Sequence, residues 1–285
     1  MAQAMKDIKR RIRSISSTKQ ITKAMELVSS AKLRKAREKL ERTRPYYQTI
    51  VRSIGDILSS TTGIKHPLLE KREVKKRAFI VVTADRGLAG GYNSNAIKLA
   101  ESNIDDKNNT VLITAGQKGK DYFKRRGYNI VGEFVSISED PEYADASKIG
   151  NLATELYKNG EVDEVNLVYT RFKSVISQEP TILKLLPAEN MKEEKTEGSK
   201  TLIEYEPSPE EVLDYIIPKY INSAIYGALI ESSASEQGAR RTAMESATDN
   251  AEEMIDDLGL KYNRARQASI TQEISEIVGG AEALK

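Results

Sequence analysis

Glycine and proline are both missing from residues 7–44, a stretch dominated by Lys, Arg, Ala, Leu, Met and Glu. These residues form helices readily, so the stretch predicts one long helix that continues past Pro45. A helix of roughly 50 residues extends about 75 Å, so it must pack on another long helix or project from the body. Apolar residues recur every three or four positions and predict a packing stripe: Ile8, Ile12, Ile15, Ile21, Met25, Val28, Ala36, Leu40, Tyr47, Val51, Ile54 and Leu58. The step from Ile15 to Ile21 breaks a strict heptad, so we expect the stripe to wander around the helix.

The partner of this helix is predicted at the other end of the chain. Helical periodicity runs over residues 210–277, which correspond to about 68 residues or roughly 100 Å. Ser208 has the chemistry of an N-cap for this second helix. Four residues weaken it locally: Pro218, Gly227, Gly238 and Gly259. Two long terminal helices with narrow apolar stripes predict an antiparallel coiled coil, in which the tip of the longer C-terminal helix stands beyond its partner.

The middle of the chain has the texture of an α/β domain. Short β-branched runs predict strands at 79–83, 111–114, 162–172 and 181–186, with a possible edge strand at 201–206. Helical patterns at 93–102, 117–126 and 144–159 alternate with them, which is typical of a mostly parallel, Rossmann-like sheet. The polar segment 191–200 is predicted to be a loop. We therefore expect an α/β fold in three parts: an N-terminal shaft helix (1–60), an α/β foot domain (61–206) and a C-terminal shaft helix (207–285).

Composition excludes several function classes. The chain has no Cys, which excludes disulfides, thiolate nucleophiles and iron–sulfur clusters, and a single His, His66. With a mean hydropathy of −0.51 and no long apolar run, it predicts neither a transmembrane helix nor a secretory signal. We therefore expect a soluble, intracellular chain. Through Arg44 there are fourteen Lys or Arg against four Asp or Glu, so the first segment is strongly basic and the remainder is acidic.

Two segments have features that occur in enzyme active sites, but in both cases a structural role is the favoured interpretation. Residues 85–93 (DRGLAGGYN) follow a strand and precede a helix, as phosphate-binding loops do, but they lack the spacing of known nucleotide motifs. A tight turn with closely packed backbone is the favoured interpretation. His66 lies before a proline in a connector and is predicted to be an exposed loop residue rather than a catalyst. No carboxylate or hydroxyl–base pair has catalytic spacing.

The charged and small residues at the two ends suggest contacts with other molecules. The basic first helix could neutralise nucleic-acid phosphates, present a solvated face, or face an acidic protein surface. Its basic residues encircle the helix and no aromatic platform accompanies them, which disfavours nucleic acid. The C-terminal helix is rich in small polar residues and ends in an apolar stretch, 274–281, that needs to be sheathed by something else.

Residues at both ends resemble the γ subunit of bacterial F-type ATP synthases, and the resemblance covers essentially the whole chain. It is carried by 8–15 (IKRRIRSI) and 18–28 (TKQITKAMELV) at the start and by 270–281 (ITQEISEIVGGA) at the end. The segment from 235 to 269 fits as well.

The resemblance implies a non-catalytic central-stalk rotor, one copy per complex, that turns inside a ring of α and β subunits. Proton flow through the c ring would turn it, and the turning would drive ATP synthesis or hydrolysis at the β-subunit sites. The α/β domain would form a foot beside the ε subunit and the c ring, at the cytoplasmic face of the cell membrane, as a peripheral membrane protein. The chain itself would bind no cofactor, since ATP, ADP and Mg belong to partner subunits. Whether H⁺ or Na⁺ is moved is decided by other subunits.

The resemblance also implies roles for individual residues. Lys23 and Met25 match positions where the shaft meets an acidic lever of a β subunit, and Tyr205 and Glu206 match the foot near the ε subunit and c ring. The remaining expected contacts with the α/β ring are Arg240, Gln267, Thr271, Glu273, Ile277 and Val278. Two alternatives stay open: a static coiled-coil adaptor with a Rossmann-like head, and a nucleotide-using enzyme whose helices only dimerise.

Overall fold

A computed structural model describes residues 2–60, 66–188 and 205–282. Ten elements follow one another along these residues: α1 (Ala2–Ser60), β1 (Arg77–Val82), α2 (Tyr92–Ser102), β2 (Thr110–Ala115), α3 (Gln117–Arg125), β3 (Asn129–Phe134), α4 (Tyr143–Lys158), β4 (Glu164–Phe172), β5 (Gln178–Leu186) and α5 (Pro209–Glu282). The predicted loop 191–200 and most of the possible strand 201–206 lie outside the described residues. Tyr205 and Glu206 are described and are not in a strand.

The chain divides into two compact units. We call Met1–Ser29 with Arg241–Lys285 the stem unit, and Ser30–Arg240 the sheet unit. The division into three parts at 60/61 and 206/207 stays a prediction. No helix among the described residues combines the length and the low polarity that crossing a bilayer requires.

The sheet unit is built on five strands in the order β3-β2-β1-β4-β5. β1 is parallel to both of its neighbours, with Ile80 in register with Ile113 of β2 and Leu167 of β4. β3 is parallel to β2, whereas the edge strand β5 is antiparallel to β4. β1 reads as a continuous apolar run because helices cover both of its faces. The predicted α/β fold with a mostly parallel sheet is confirmed.

Alternate residues of β1 enter two different cores. Phe79 and Val81 pack with apolar residues of α2 and α3 on one face of the sheet. Ile80 and Val82 belong to a larger core on the other face, where α4 and the sheet-unit part of α5 pack together with residues 50–57 of α1. Long helices thus form an integral layer of the sheet unit.

Helix α1 buries one continuous seam, and its path differs from the predicted one. Buried or half-buried positions alternate in steps of three and four without a break: 5, 8, 12, 15, 19, 22, 26, 29 in the stem unit, and 33, 36, 40, 43, 47, 50, 54, 57 in the sheet unit. The expected wandering of the stripe is therefore wrong. The seam keeps its heptad because Lys19, Thr22, Glu26 and Ser29 occupy it, and Ile21 and Val28 lie outside it, 58% and 54% exposed.

Helix α5 continues through Pro218 and all three of its predicted weak glycines. Its first turn is capped as expected, since the backbone N–H of Glu211 donates to the Ser208 hydroxyl at 3.2 Å. In the stem unit α5 also buries one heptad seam: Met244, Thr248, Ala251, Ile255, Leu258, Tyr262, Ala265 and Ser269 are buried or half-buried. The two stem-unit seams run antiparallel. Lys19 pairs with Glu252, whereas Thr22, which comes later in α1, pairs with Thr248, which comes earlier in α5.

Candidate functional site

In a doubly wound sheet, ligands bind at the carboxyl ends of the strands where the strand order reverses. Here that place lies between β1 and β4, and α5 of the same chain occupies it. The backbone N–H of Thr170 donates to the Ser232 hydroxyl at 3.1 Å, and the Ser235 hydroxyl donates to the Thr170 carbonyl at 3.0 Å. The backbone N–H of Phe172 donates to the carboxylate of Glu231 at 3.1 Å. The groups that would hold a ligand at the end of β4 are therefore bonded to α5.

The loop after β1 is a second position at which ligands can bind in such folds, and here a side chain of the same chain occupies it. The carboxylate of Asp85 accepts hydrogen bonds from the backbone N–H groups of Gln117, Ser136 and Ser138, at 2.9–3.0 Å. Gln117 begins α3, so Asp85 takes the place that an anion would take at a helix N-terminus. The loop turns sharply at Leu88 and Gly90, which have φ angles of 62° and 53°. The turn predicted for residues 85–93 is confirmed, whereas the close backbone packing expected at its glycines is wrong, since a Cβ on Gly90 would meet nothing within 4 Å.

A buried ion pair lies beneath this loop. Arg240 places a guanidinium nitrogen 2.7 Å from a carboxylate oxygen of Glu236, and it donates to the carbonyl oxygen of Gly87 at 3.1 Å. Burial raises the pKa of Glu236, while Arg240 opposes that rise. Burial also raises the pKa of Tyr92 nearby, and the Glu236 charge adds to that rise. Arg240 is thus enclosed by its own chain, and its predicted role toward the α/β ring stays a prediction.

His66 is buried, so its predicted exposure is wrong. Its Nδ1 accepts a hydrogen bond from the backbone N–H of Leu68 at 3.1 Å, which leaves the ring proton on Nε2 to bond Asp214 at 3.0 Å. Burial lowers the pKa of His66, and Asp214 partly offsets this. The ring is covered because Leu68 enters the same core as Leu213 of α5. His66 therefore joins the chain before β1 to the start of α5.

Part of the basic charge of α1 is neutralised inside the sheet unit. Lys32 pairs with Glu139 at 2.7 Å, while Lys35 and Lys39 both pair with Asp140 at 2.9 Å. These amines lower the pKa values of both acidic groups. The basic stretch of α1 is therefore not a free surface for nucleic acid along this part of its length.

The stem unit has a polar seam at its centre. The Lys19 ammonium lies 2.8 Å from the Glu252 carboxylate, and it lowers the pKa of that group. Thr248 donates to the Thr22 hydroxyl at 2.8 Å, in a buried position. Lys23, a predicted partner contact, pairs with Glu26 of its own helix at 3.0 Å while remaining largely exposed.

Apolar side chains lie on the outside of the same unit. Exposed members on both helices are Ile21, Leu27, Val28, Met254, Leu260, Ile270, Ile274, Ile277 and Val278. Met25, beside them, is half-buried. Residues 270–281 are exposed throughout, and Ile277 is 71% exposed. The stem unit therefore has polar groups in the middle of its seam and exposed apolar side chains on its outer faces.

The other predicted contact residues are accessible or partly accessible. Gln267, Thr271 and Glu273 are exposed on one stretch of α5, where their own bonds are local: Thr271 donates to the Gln267 carbonyl at 3.0 Å, and Ser269 donates to Glu273 at 3.4 Å. Glu206 is exposed and Tyr205 is half-buried against the sheet-unit core. Their contact roles stay predictions.

Sequence reasoning missed Thr22, Thr248 and the ion pair of Lys19 with Glu252. A usable signal was present, because counting back from Leu33 in steps of four and three leads to Ser29, Glu26 and Thr22. Buried Glu236 carries no comparable signal, since it lies among residues that are distant in sequence, among them Tyr92 and Ser138. Among the residues that the structure describes, no group of three or more His, Asp or Glu side chains could hold a metal ion.

The sequence matches a known protein family and curated relatives over essentially its whole length. A family model described as ATP synthase matches residues 4–284. The ATP synthase gamma chain of Alkaliphilus metalliredigens is 61% identical over 289 residues, and the sodium ion specific ATP synthase gamma chain of Acetobacterium woodii is 54% identical over 301 residues; in both cases all of each chain is covered.

Solved structures show the same fold. A chain of the central stalk and c-ring of the Tetrahymena thermophila mitochondrial ATP synthase matches with a TM-score of 0.61 at 25% identity, covering 80% of this chain and 99% of that one. A chain of the Euglena gracilis mitochondrial ATP synthase matches with a TM-score of 0.72 at 20% identity, covering 100% and 95%.

Proposed function

The chain belongs to the γ chain family of ATP synthases, and on that premise we propose that it is the central-stalk rotor of an F-type ATP synthase. It turns inside a ring of α and β subunits and couples ion flow across a membrane to ATP synthesis or hydrolysis at the β-subunit sites. The exposed apolar side chains of the stem unit are the observation that carries this proposal. These side chains lie on the outer faces of both helices, and residues 270–281 are exposed throughout, so a surrounding partner is needed to cover them.

The outer surface of the stem unit suits sliding contact. Its apolar side chains are interspersed with small and charged ones over residues 241–281, so any one orientation buries little apolar area. Because apolar burial contributes about 25 cal/mol per Å², a partner sleeve gains only modest attraction at each angle. Weak contacts of similar strength keep the barrier between successive orientations low. A rotor needs this property, whereas a static adaptor gains from deep and specific pockets.

Cross-linking tests rotation directly. The chain has no Cys, so Met25→Cys or Ile277→Cys introduces a single thiol. A reducible cross-linker that reacts with this thiol at one end and with amines at the other should join it to the surrounding ring in the assembled complex and stop ATP turnover. Reduction of the cross-link should restore turnover, which serves as the control. Unchanged turnover in the fully cross-linked complex contradicts the rotor and favours the adaptor.

The chain itself is proposed to be non-catalytic and to bind no nucleotide or metal, with ATP, ADP and Mg held by partner subunits. Two closures support this: α5 fills the crevice between β1 and β4, and Asp85 occupies the anion position at α3. Calorimetric titration of the isolated chain with Mg-ATP up to millimolar concentration should give no saturable heat. A saturable isotherm supports the enzyme alternative instead.

The remaining partners follow from the same premise. We place Tyr205 and Glu206 near the ε subunit and the c ring, and the whole chain on the cytoplasmic face of the membrane as a peripheral subunit. Lys23 and Arg240 act in coupling, so Lys23→Ala should lower ATP synthesis per ATP hydrolysed more than it lowers the yield of assembled complex. Loss of assembly with normal coupling in the remaining complexes contradicts that assignment.

A further inference from the structure

The carboxylate of Asp85 joins three segments at the carboxyl ends of the strands. It lies in the loop after β1, and it accepts hydrogen bonds from the backbone N–H group of Gln117, which follows β2, and from those of Ser136 and Ser138 in the loop after β3, at 2.9–3.0 Å. The backbone N–H of Asp85 donates in turn to the Ser138 hydroxyl at 3.0 Å. One residue thus ties together the ends of three neighbouring strands.

Two of these segments contain a residue in a strained backbone conformation. Leu88, after β1, and Ser136, after β3, both have a φ of 62°, and among the residues that the structure describes they are the two with positive φ that are not glycine. A β-carbon makes this conformation unfavourable, so it persists only where the surroundings over-determine the backbone. Asp85 supplies such a constraint, because it bonds to Ser136 directly and lies three residues before Leu88.

Other bonds of the loop after β1 join different parts of the chain. The side chain of Asn93 closes the loop on itself, since it accepts from the backbone N–H of Ala84 at 2.8 Å and donates to the carbonyl oxygen of Arg86 at 3.4 Å. Arg240 reaches the loop from α5. Neither set of bonds reaches the loop after β3, so the carboxylate supplies a link that they do not.

The strained loop after β1 presents two side chains to the outside. Leu88 is apolar and yet 63% exposed, and the side chain of Arg86 is 78% exposed. Glycine would adopt the backbone conformation of residue 88 without strain, so an exposed leucine there gains nothing for the fold. Backbone strain of this kind clusters at sites of contact with other molecules. An acidic partner surface with an apolar recess fits both side chains.

We propose that Asp85 is a positioning residue, which orders the loops after β1 and β3 so that Leu88 and Arg86 meet the partner ring in one fixed arrangement. Its carboxylate acts as a built-in anion for three backbone N–H groups. The inference rests on the proposed rotor function for the identity of the partner and for the effect on coupling. The order of the two loops is a property of the isolated chain and is tested there.

Hydrogen exchange in the full-length chain tests the ordering. Asp85→Ala removes the acceptor of three N–H groups, so we expect the amides of Gln117, Ser136 and Ser138 to exchange at least tenfold faster. Asp163→Ala is the matched control, because that carboxylate accepts two backbone N–H groups at the amino end of β1, both at 2.9 Å. It should leave the exchange of the three amides unchanged. Unchanged exchange in Asp85→Ala overturns the ordering role.

A double-mutant cycle tests whether Asp85 maintains the strain. Ser136→Gly relieves the strained backbone, so it should raise the melting temperature of the unaltered chain by about 2–4 °C. In the Asp85→Ala background residue 136 is free to relax, so the same substitution should give less than half of that shift. Equal shifts in the two backgrounds overturn the claim that the carboxylate holds the strained conformation.

Leu88→Gly separates contact from folding. The melting temperature should stay equal or rise by about 2–4 °C, because glycine carries no strain at this φ. In the assembled complex the ratio of ATP synthesis to ATP hydrolysis should fall about threefold, because the loop has lost its apolar side chain. A purely structural residue would give the first result without the second. An unchanged ratio therefore overturns the contact.

The same ratio in Asp85→Ala and Asp163→Ala tests the positioning role in the assembled complex. Both variants lose backbone hydrogen bonds to a carboxylate, so both should melt at a lower temperature. We expect the ratio to fall about threefold in Asp85→Ala and to stay unchanged in Asp163→Ala. A normal ratio in Asp85→Ala, or an equal fall in both variants, overturns the positioning role. A complex containing the unaltered chain that does not couple at all contradicts the proposed function instead.

Discussion

The two parts of helix α5 differ in how much of their surface is buried. In the sheet unit, residues 220–240 are buried on nearly every side, including Ser232, Ser235 and Glu236. In the stem unit, only every third or fourth residue of α5 is buried. The sheet-unit part is held by tertiary packing and internal hydrogen bonds, so it tolerates little change. The stem-unit part leaves most of its surface exposed, so we expect the effects of substitutions there to appear in function before stability.

The largest effect on stability is expected when the buried ion pair of Arg240 and Glu236 in the sheet unit is broken. Arg240→Met leaves the carboxylate of Glu236 buried without its cation, which should lower the free energy of unfolding by about 3–5 kcal/mol. The double variant Glu236→Gln/Arg240→Met should recover part of the loss, because no charge stays buried. Urea titration followed by circular dichroism measures both. As a control, exposed Arg264→Ala in the stem unit should change stability by less than about 0.5 kcal/mol.

The next test compares two apolar residues of α1. Leu33→Ala removes a side chain buried against Ala36 and Ala234, so it should cost about 2–4 kcal/mol. Val28→Ser changes an exposed residue that the sequence pattern had placed in the seam, and it should cost less than about 0.5 kcal/mol. Chemical denaturation of the full chain compares the two variants under one condition. Equal losses for both contradict the seam described here.

Alanine substitutions at two helical glycines should change the stability of the fold in opposite directions. A Cβ on Gly150 of α4 would lie 2.1 Å from the side-chain oxygen of Asn222, so Gly150→Ala should destabilise the sheet unit by about 1–3 kcal/mol. A Cβ on Gly227 of α5 meets nothing within 4 Å, so Gly227→Ala should stabilise it by up to about 1 kcal/mol through helix propensity. Thermal melts of the two variants suffice. A loss of stability in Gly227→Ala indicates crowding that the structure does not show.

The smallest expected effect is the contribution of His66 to the pH dependence of folding stability. Burial lowers the pKa of His66 in the folded chain below its unfolded value of about 6.5, so the unfolded chain binds more protons in this range. The stabilising contribution is present above that value and is lost as the pH falls through it. His66→Asn should remove this slope between about pH 7.5 and 5.5, measured by urea titration at each pH.

Other groups titrate below this pH range or change stability in the opposite direction: Glu139 and Asp140, whose pKa values are lowered, lose their contribution only at more acidic pH. Burial raises the pKa values of Glu231 and Glu236, so their contribution is lost as the pH rises, in the opposite direction. His66 is the only histidine in the chain, so no second imidazole contributes. A slope that persists unchanged in His66→Asn contradicts the burial of the ring.

Residue patterns predicted the secondary structure well because they record local preferences. The β-branched runs and the glycine-free first segment led to four of the five strands and to both long helices, and the two terminal motifs led to the family. The strand β3 (Asn129–Phe134) was not predicted, because its alternate residues are exposed or half-buried and it has no continuous apolar run. The placement of Ile21, Val28 and His66 was predicted wrongly. Apolarity was taken as a sign of burial within this chain, whereas an apolar residue can equally face a partner molecule, and a lone histidine can be covered by distant parts of the chain.

The sequence alone determined which segments are helices or strands, where the charge lies, and that no thiol chemistry is available. Tertiary structure decided which of the equally spaced residues of α1 face α5, that the strand ends are closed by Ser232 and Asp85, and that Glu236 and Arg240 meet inside the fold. The physical reason is that helix and strand preferences arise from neighbours along the chain. Burial and pairing arise between residues far apart in sequence, such as Thr22 and Thr248, and only the folded chain brings these together.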